Sequence, residues 1–401
     1  RSRRVIRAAA WRRAPFGGAG EHAPRRACRS VLAIGRMLPT LRRCFGRSRR
    51  AAWAQLGALI VVWCKLPPRA SDLGMILPTA STSSPQRASR YYSAFLEQLP
   101  AMGGKTVVVT GASRGLGFVT ALALAKKAAS VFMLSRRSER SAQAFEAVSA
   151  AAAGQAPQLV ECDQLDFASV RQAAAELREK AAGGVDVLCC NAGVMLQPDL
   201  ASQDGYDVTI STNVLSHFLL VKEMMPELEQ AASLRGEARV VSMSSASAYG
   251  PPALDTRFLT RSGGNLGGTK YSYERYHQSK LANLLFTCEL DSRFRQRGNQ
   301  VKALACTPGV CGTDMFVHAM SVMSPGRAAD VSAVTSVEDG CLAQLKCICD
   351  PSVQSGELYG PPWGGGFPVK VDMAPPNILV DATSQARLWD VCEQAVGPCS
   401  V

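Results

Sequence analysis

The sequence predicts an α/β fold, a doubly wound parallel sheet with helices on both faces, preceded by a basic extension. Three observations predict it. From Gly104 onward, short apolar runs alternate with longer helical stretches, the signature of repeated β-α units with right-handed crossovers. The runs are continuously apolar, as in strands buried on both faces. The first run ends in a glycine-rich turn, Thr110-Gly111-Ala112-Ser113-Arg114-Gly115-Leu116-Gly117, that opens a helix.

Residues 105–110 (KTVVVT) form the first predicted strand, and the Ala/Leu-rich residues 116–127 the first helix. Residues 130–135 (SVFMLS) are the second strand, and 139–153 a helix stopped by Gly154 and Pro157. Strand 158–162, helix 169–182 and strand 185–190 (VDVLCC) follow. A long helical region spans 204–229, weakened by β-branched residues at 208–210. Strand 238–243, helix 276–297 and strand 300–306 come next, then a helix at 337–349 and a strand at 357–359. Six or seven strands make one domain, residues 96–401, with no linker to a second. The Gly/Pro-rich residues 361–368 read as a surface loop.

The formal net charge of +13 is uneven: residues 1–90 hold 19 of the 45 basic and only 2 of the 32 acidic side chains. The rest is mildly acidic and carries no electrostatic footprint for nucleic acid. The 14 cysteines are scattered without a C-x-x-C pair, and no histidine stands at zinc-ligand spacing. No metal is expected, and the cysteines read as reduced core thiols of an intracellular protein. In residues 1–95 an apolar stretch, 51–64 (AAWAQLGALIVVWC), sits behind a basic flank. It is shorter than the roughly 20 residues a spanning helix needs and matches a signal-peptide core. Residues 67–90, rich in Ser, Thr, Pro and Arg, resemble a transit peptide. The expectation is an organellar targeting leader of the two-part plastid kind. The alternatives are a retained anchor, as on the endoplasmic reticulum membrane, and an untranslated 5′ extension.

The glycine-rich turn can hold a dinucleotide pyrophosphate. Gly111, Gly115 and Gly117 let the backbone approach the phosphates, and Ser113, Arg114 and Leu116 lie at the helix N-terminus with its unpaired N–H groups. NAD-binding folds usually place a carboxylate after the second strand. Here that strand runs into Arg136-Arg137 with no acid before Glu139. Guanidinium forks suit a 2′-phosphate, so the expected cofactor is NADP(H). Asp163 is placed to meet the adenine, and Asn191-Ala192-Gly193, ending the fourth strand, to line the adenosine side.

Tyr276 and Lys280 stand four apart on a predicted helix and share a face. A lysine cation beside the phenol is expected to lower its pKa from about 10, making Tyr276 a usable general acid or base. A serine after the fifth strand, at Ser244-Ser245, can hold a substrate oxygen. Tyr271 has Arg275 and Tyr273 has His277 at the same spacing; only Tyr276 has a lysine. His217, on an apolar helix, reads as a core histidine, and Cys311 as a small packing residue.

Over residues 103–395 these motifs together resemble the short-chain dehydrogenase/reductase family. The resemblance implies a Rossmann-type sheet in the order 3-2-1-4-5-6-7 and frequent homodimers or tetramers. It assigns the catalytic serine to Ser245 rather than Ser244. It makes Asn213, within Thr212-Asn213-Val214-Leu215-Ser216-His217-Phe218, the fourth member of a Ser–Tyr–Lys–Asn tetrad. Pro308-Gly309, followed by Thr313, matches the family's nicotinamide-contacting loop. Tyr276-His277-Gln278-Ser279-Lys280-Leu281-Ala282-Asn283 is similar to retinol dehydrogenase-like enzymes. The implied activity interconverts a carbonyl and an alcohol on a hydrophobic small molecule. Light-dependent protochlorophyllide reductases share much of this core, but usually carry a longer insertion than the 31 positions from Ser245 to Tyr276. A third reading is an NADPH-binding scaffold without catalysis.

Overall fold

Each apolar run becomes a strand, and the polar-edged stretches between become its crossover helices. The computed structural model describes residues 84–363, 365–373, 378 and 380–401. The apolar stretch at 51–64 and the rest of the leader before residue 84 lie outside the described residues. Along the chain run α1 (Tyr92–Gln98), β1 (Thr106–Thr110), α2 (Gly115–Lys126), β2 (Ser130–Ser135), α3 (Glu139–Ala150), β3 (Gln158–Glu161), α4 (Phe167–Lys180) and β4 (Val187–Cys190). Helix α5 starts as one turn at Val208–Ile210, widens into a π-helical turn at Ser211–Leu215 and continues as α-helix over Ser216–Arg235. Then come β5 (Ala238–Met243), α6 (Ser272–Arg297), β6 (Val301–Cys306), α7 (Asp314–Met323), α8 (Val337–Gly340), α9 (Leu342–Cys349), β7 (Leu358–Gly360), β8 (Val369–Val371) and α10 (Ala382–Val396).

The strands order as β3-β2-β1-β4-β5-β6-β7-β8, all parallel except the last pair. The expected seven-strand order is therefore present, with β8 added antiparallel at the edge. β8 is three residues long, largely exposed and flanked by Gly/Pro-rich chain, so it offers no apolar run to read. Successive strand residues feed opposite layers, as the period of two demands. Val108, Phe132, Leu188 and Val240 pack with α4, α5, α6 and α10. Val107, Val131, Val187 and Val241 pack with α1, α2, α3 and α9. Each such side chain taken from water contributes roughly 1.5–3 kcal/mol, and the two buried faces explain the unbroken apolar runs.

Some boundaries move for identifiable reasons. Helix α5 begins at 208 because the Asp207 carboxylate caps it, accepting from the N–H groups of Thr209 and Ile210. The β-branched residues thus stand in its first turn. Helix α6 begins four residues before Tyr276, which places that residue inside the second turn. The domain boundary expected at 95/96 falls inside folded chain. The backbone N–H groups of Arg90, Tyr91 and Tyr92 donate to the Asp339 carboxylate, and Phe95 is buried in the second layer. Helices α1, α7 and α10 were not predicted.

Candidate functional site

The carboxyl ends of β1, β4, β5 and β6 open into one cleft of about 1320 Å³. Every predicted cofactor residue lines it, from Gly111, Ser113, Arg114, Gly115, Leu116 and Gly117 through Arg136, Arg137, Asp163, Asn191, Ala192 and Gly193 to Pro308, Gly309 and Thr313. Ser245, Tyr276 and Lys280 line it too. Asn213 is fully buried just behind.

Two of the three cradle glycines have no room for a side chain. Gly111 has φ +66, and a Cβ there would lie 2.9 Å from the Ala192 Cα. A Cβ on Gly117 would lie 2.5 Å from the Gly111 carbonyl oxygen and 2.4 Å from Asn191 Nδ2. Thr110 ties cradle to N-A-G: its hydroxyl accepts from the N–H groups of Asn191 and Ala192, both at 2.9 Å. Asn191 Nδ2 donates back to the Thr110 carbonyl at 2.8 Å. His217 closes this network, with Nε2 2.9 Å from the Thr110 hydroxyl and Nδ1 3.3 Å from the Asn213 carbonyl. A neutral ring that donates from Nδ1 must accept at Nε2. Burial drives the His217 pKa down to about 4, so the neutral form is the resident one. His217 is the core histidine its apolar helix suggests.

Around the carboxyl ends of β1 and β2 the arginines are partly engaged. Arg137 pairs with Glu161 at 3.0 Å. Arg114 and Arg140 both reach Asp314, at 3.4 and 3.2 Å, and all three line the cleft. Exposed pairs such as these contribute little and give way easily to a competing anion. Asp163 spends one carboxylate oxygen on the Leu165 N–H.

At the other end Tyr276 is 5% exposed, with the Ser245 side chain close enough to act on its phenol. Ser244 points away, donating to the Lys280 carbonyl at 2.9 Å. Lys280 is buried, its ammonium 5.7 Å from the Tyr276 ring centroid and donating to the Met243 carbonyl at 2.9 Å. The expected drop in the tyrosine pKa is absent: burial raises it to about 12, the Ser245 side chain offsetting only part. Burial instead lowers Lys280 to about 8. Asn213 Oδ1 accepts from the Val194 N–H at 2.8 Å, and Nδ2 donates to the Val194 carbonyl and to Ser279 Oγ. The π-helical turn around Asn213 is the kind of irregularity found at functional sites. Gly193 faces both: a Cβ there would meet Asn213 Oδ1 at 3.4 Å and Lys280 Nζ at 3.6 Å.

Of the competing tyrosines, Tyr271 is 40% exposed and lies off the cleft. Its partner by spacing, Arg275, is buried against Asp207 at 2.8 Å. Tyr273 lines the cleft and packs edge-on against His277, centroids 4.1 Å apart. Cys311 is buried at the wall, burial lifting its thiol to about 12, consistent with packing. Among the described residues no cluster of three or more His, Cys, Asp or Glu could hold a metal. No described helix is long and apolar enough to cross a membrane.

Residues 105–255 match the short chain dehydrogenase family. A short-chain dehydrogenase/reductase of Armillaria gallica is 32% identical over 274 residues, 67% of this chain and 84% of the relative. The chain belongs to the short-chain dehydrogenase/reductase family. Human retinol dehydrogenase 13 is 34% identical over 216 residues, 54% of this chain and 61% of that protein, so the match spans about three-fifths of its length. Retinol dehydrogenase 13 is thus among the relatives of this short-chain dehydrogenase. A crystal structure from Mycobacterium paratuberculosis superposes with a TM-score of 0.59 at 30% identity, covering 76% of this chain and 98% of that one.

Several residues of this short-chain dehydrogenase escaped the sequence reading. Thr110 ends an apolar run and shows nothing of its four-way role. Arg140 is the second residue of α3, past the Arg136-Arg137 pair. Residues 315–332 read from the sequence as an apolar, methionine-containing substrate loop, but not as a helix; Met315, Phe316, Met320 and Met323 of α7 wall the apolar part of the cleft together with Met195. Their spacing carries an apolar stripe that could have been read as a helix.

Proposed function

We propose that this protein is an NADP(H)-dependent oxidoreductase that interconverts a carbonyl and an alcohol on an apolar small molecule, with Tyr276 moving the proton. The observation that carries the reading is the Ser245–Tyr276–Lys280 group, with Tyr276 and Lys280 buried, facing a cleft whose far end is a glycine cradle closed to side chains at Gly111 and Gly117. The cradle residues fit a pyrophosphate, and Arg136, Arg137, Arg114 and Arg140 fit a 2′-phosphate where no carboxylate competes for a ribose hydroxyl. When bound, the dinucleotide supplies or accepts the hydride.

This chain's own residues do the rest. Ser245 holds the substrate oxygen against the Tyr276 hydroxyl. With a pKa near 12, Tyr276 carries its proton at neutral pH, so the resting site is a proton donor, suited to carbonyl reduction. Lys280, cationic below about pH 8, stabilises charge developing on the phenol oxygen. Asn213 holds Val194 and so fixes the floor beside Gly193. The methionine-lined wall favours an apolar substrate, in keeping with a relative named for retinol. The complete tetrad counts against a non-catalytic scaffold, and the short Ser245-to-Tyr276 connection against a pigment reductase. An organellar location rests on the leader's composition.

The test is Tyr276→Phe, followed by NADPH oxidation with a panel of apolar aldehydes and ketones. Turnover should fall by about 10³-fold or more, within the range proton transfer contributes, while NADPH affinity stays within about 2-fold because only a hydroxyl is removed. A variant retaining a tenth of wild-type turnover overturns the assignment.

A further inference from the structure

We propose that residues 84–91, ahead of β1, are a strap that completes the dinucleotide site, with the Arg87 guanidinium as a ligand for the pyrophosphate. The proposal rests on the dinucleotide reading above and adds a contact from outside the motifs that carry it.

The strap is fastened at three points. Ser84 Oγ donates to Asp330 at 2.7 Å. Gln86 Nε2 donates to the Gly312 carbonyl at 2.6 Å. The Asp339 carboxylate accepts from the N–H groups of Arg90, Tyr91 and Tyr92 at 2.8, 2.9 and 3.0 Å. Ring contacts support the same course: Phe95 meets Phe367 edge-on at 5.2 Å.

These fastenings lie beside the phosphate cradle. Gly312 precedes Thr313, whose methyl would be 3.7 Å from a Cβ on Gly115. Asp339 precedes Gly340, which is packed so closely on Cys311 and Leu116 that a Cβ there would lie 3.0 and 3.1 Å from their side chains. The strap therefore passes the amino end of α2, where free N–H groups await an anion.

Arg87 is half-buried and lines the cleft. Of the other guanidinium groups along it, Arg114 and Arg140 share Asp314 and Arg137 has Glu161, whereas Arg90 and Arg136 form no ion pair among the described residues. Arg87 has no ion pair or side-chain hydrogen bond among the described residues. A partly desolvated cation without an anion, held by its backbone at the rim of a phosphate cradle, is complementary to a doubly charged pyrophosphate.

The experiment titrates the full chain, wild type, Arg87→Ala and Arg87→Lys, with NADPH and NADH in parallel, and checks that all three melt alike. Arg87→Ala should weaken both cofactors by the same factor, about 10- to 100-fold for a charge-assisted bond, and Arg87→Lys should recover most of the loss. Unchanged affinity in Arg87→Ala overturns the proposal and leaves the strap a structural closure. A loss confined to NADPH moves the contact to the 2′-phosphate and overturns the pyrophosphate assignment. Wild-type protein that binds NADH as well as NADPH, with both weakened in Arg87→Ala, refutes the NADP preference and leaves the strap standing. Wild-type protein that binds neither refutes both.

Discussion

Replacing Lys280 by Met should strengthen the fold while removing the activity. Lys280 is 2% exposed, and burial lowers its pKa from 10.5 to about 8. The unfolded chain keeps this proton up to 10.5, the folded chain only to about 8. Below pH 8 both states are charged, and burial costs the fold about 3 kcal/mol, at 1.36 kcal/mol per pKa unit. Between 8 and 10.5 the unfolded chain binds more protons, so wild-type stability rises with pH and the cost disappears. Methionine fills a similar volume without the charge. The Met243 carbonyl that Lys280 serves also accepts from Asn283 Nδ2 at 2.9 Å, so no acceptor is orphaned. Subtracting about 1 kcal/mol for the lost hydrogen bond, Lys280→Met should gain about 2 kcal/mol at pH 7. Urea unfolding monitored by tryptophan fluorescence at pH 7 and pH 9.5 reads this directly. The gain should shrink at the higher pH, and turnover should fall by about 100-fold or more, as for other proton-transfer groups. A less stable variant at pH 7, or a gain that ignores pH, refutes the reasoning.

Acid should weaken the fold through two other buried groups. His217 and His277 are each lowered by burial from 6.5 to about 4, so from 6.5 downward the unfolded chain binds more protons and stability falls, by about 2 kcal/mol per histidine at pH 5. His277→Leu, which removes a ring nitrogen with no partner, should halve this dependence in urea midpoints compared at pH 7 and 5; an unaltered slope would count against it. Gly117→Ala should cut dinucleotide affinity by about 10-fold or more and cost about 1–3 kcal/mol of stability, because its Cβ collides with backbone and with the Asn191 amide. Wild-type affinity in that variant would show that the ligand does not use the cradle.

What could be read from the sequence divides along a physical line. Whatever depends on local periodicity or on short spacing was legible. The runs at β1, β2, β4, β5 and β6 are apolar because both faces are covered, and a four-residue step on a helix places Tyr276 beside Lys280 whatever surrounds them. The double serine is settled by which hydroxyl turns inward, and the register of β5 sends Ser245 toward Tyr276 and Ser244 toward the Lys280 carbonyl. What depends on long-range burial was not legible. The i,i+4 argument correctly paired a cation with the phenol but gave the wrong sign to its pKa, since spacing says nothing of desolvation. Once the pair is enclosed, the charged form of each is penalised, so tyrosine rises and lysine falls together. Arg87 was invisible for the same reason. In the sequence it is one of many arginines in a basic extension. Only the fastenings at Asp330, Gly312 and Asp339, 226 to 249 positions away along the chain and silent in any local pattern, bring it to the cleft.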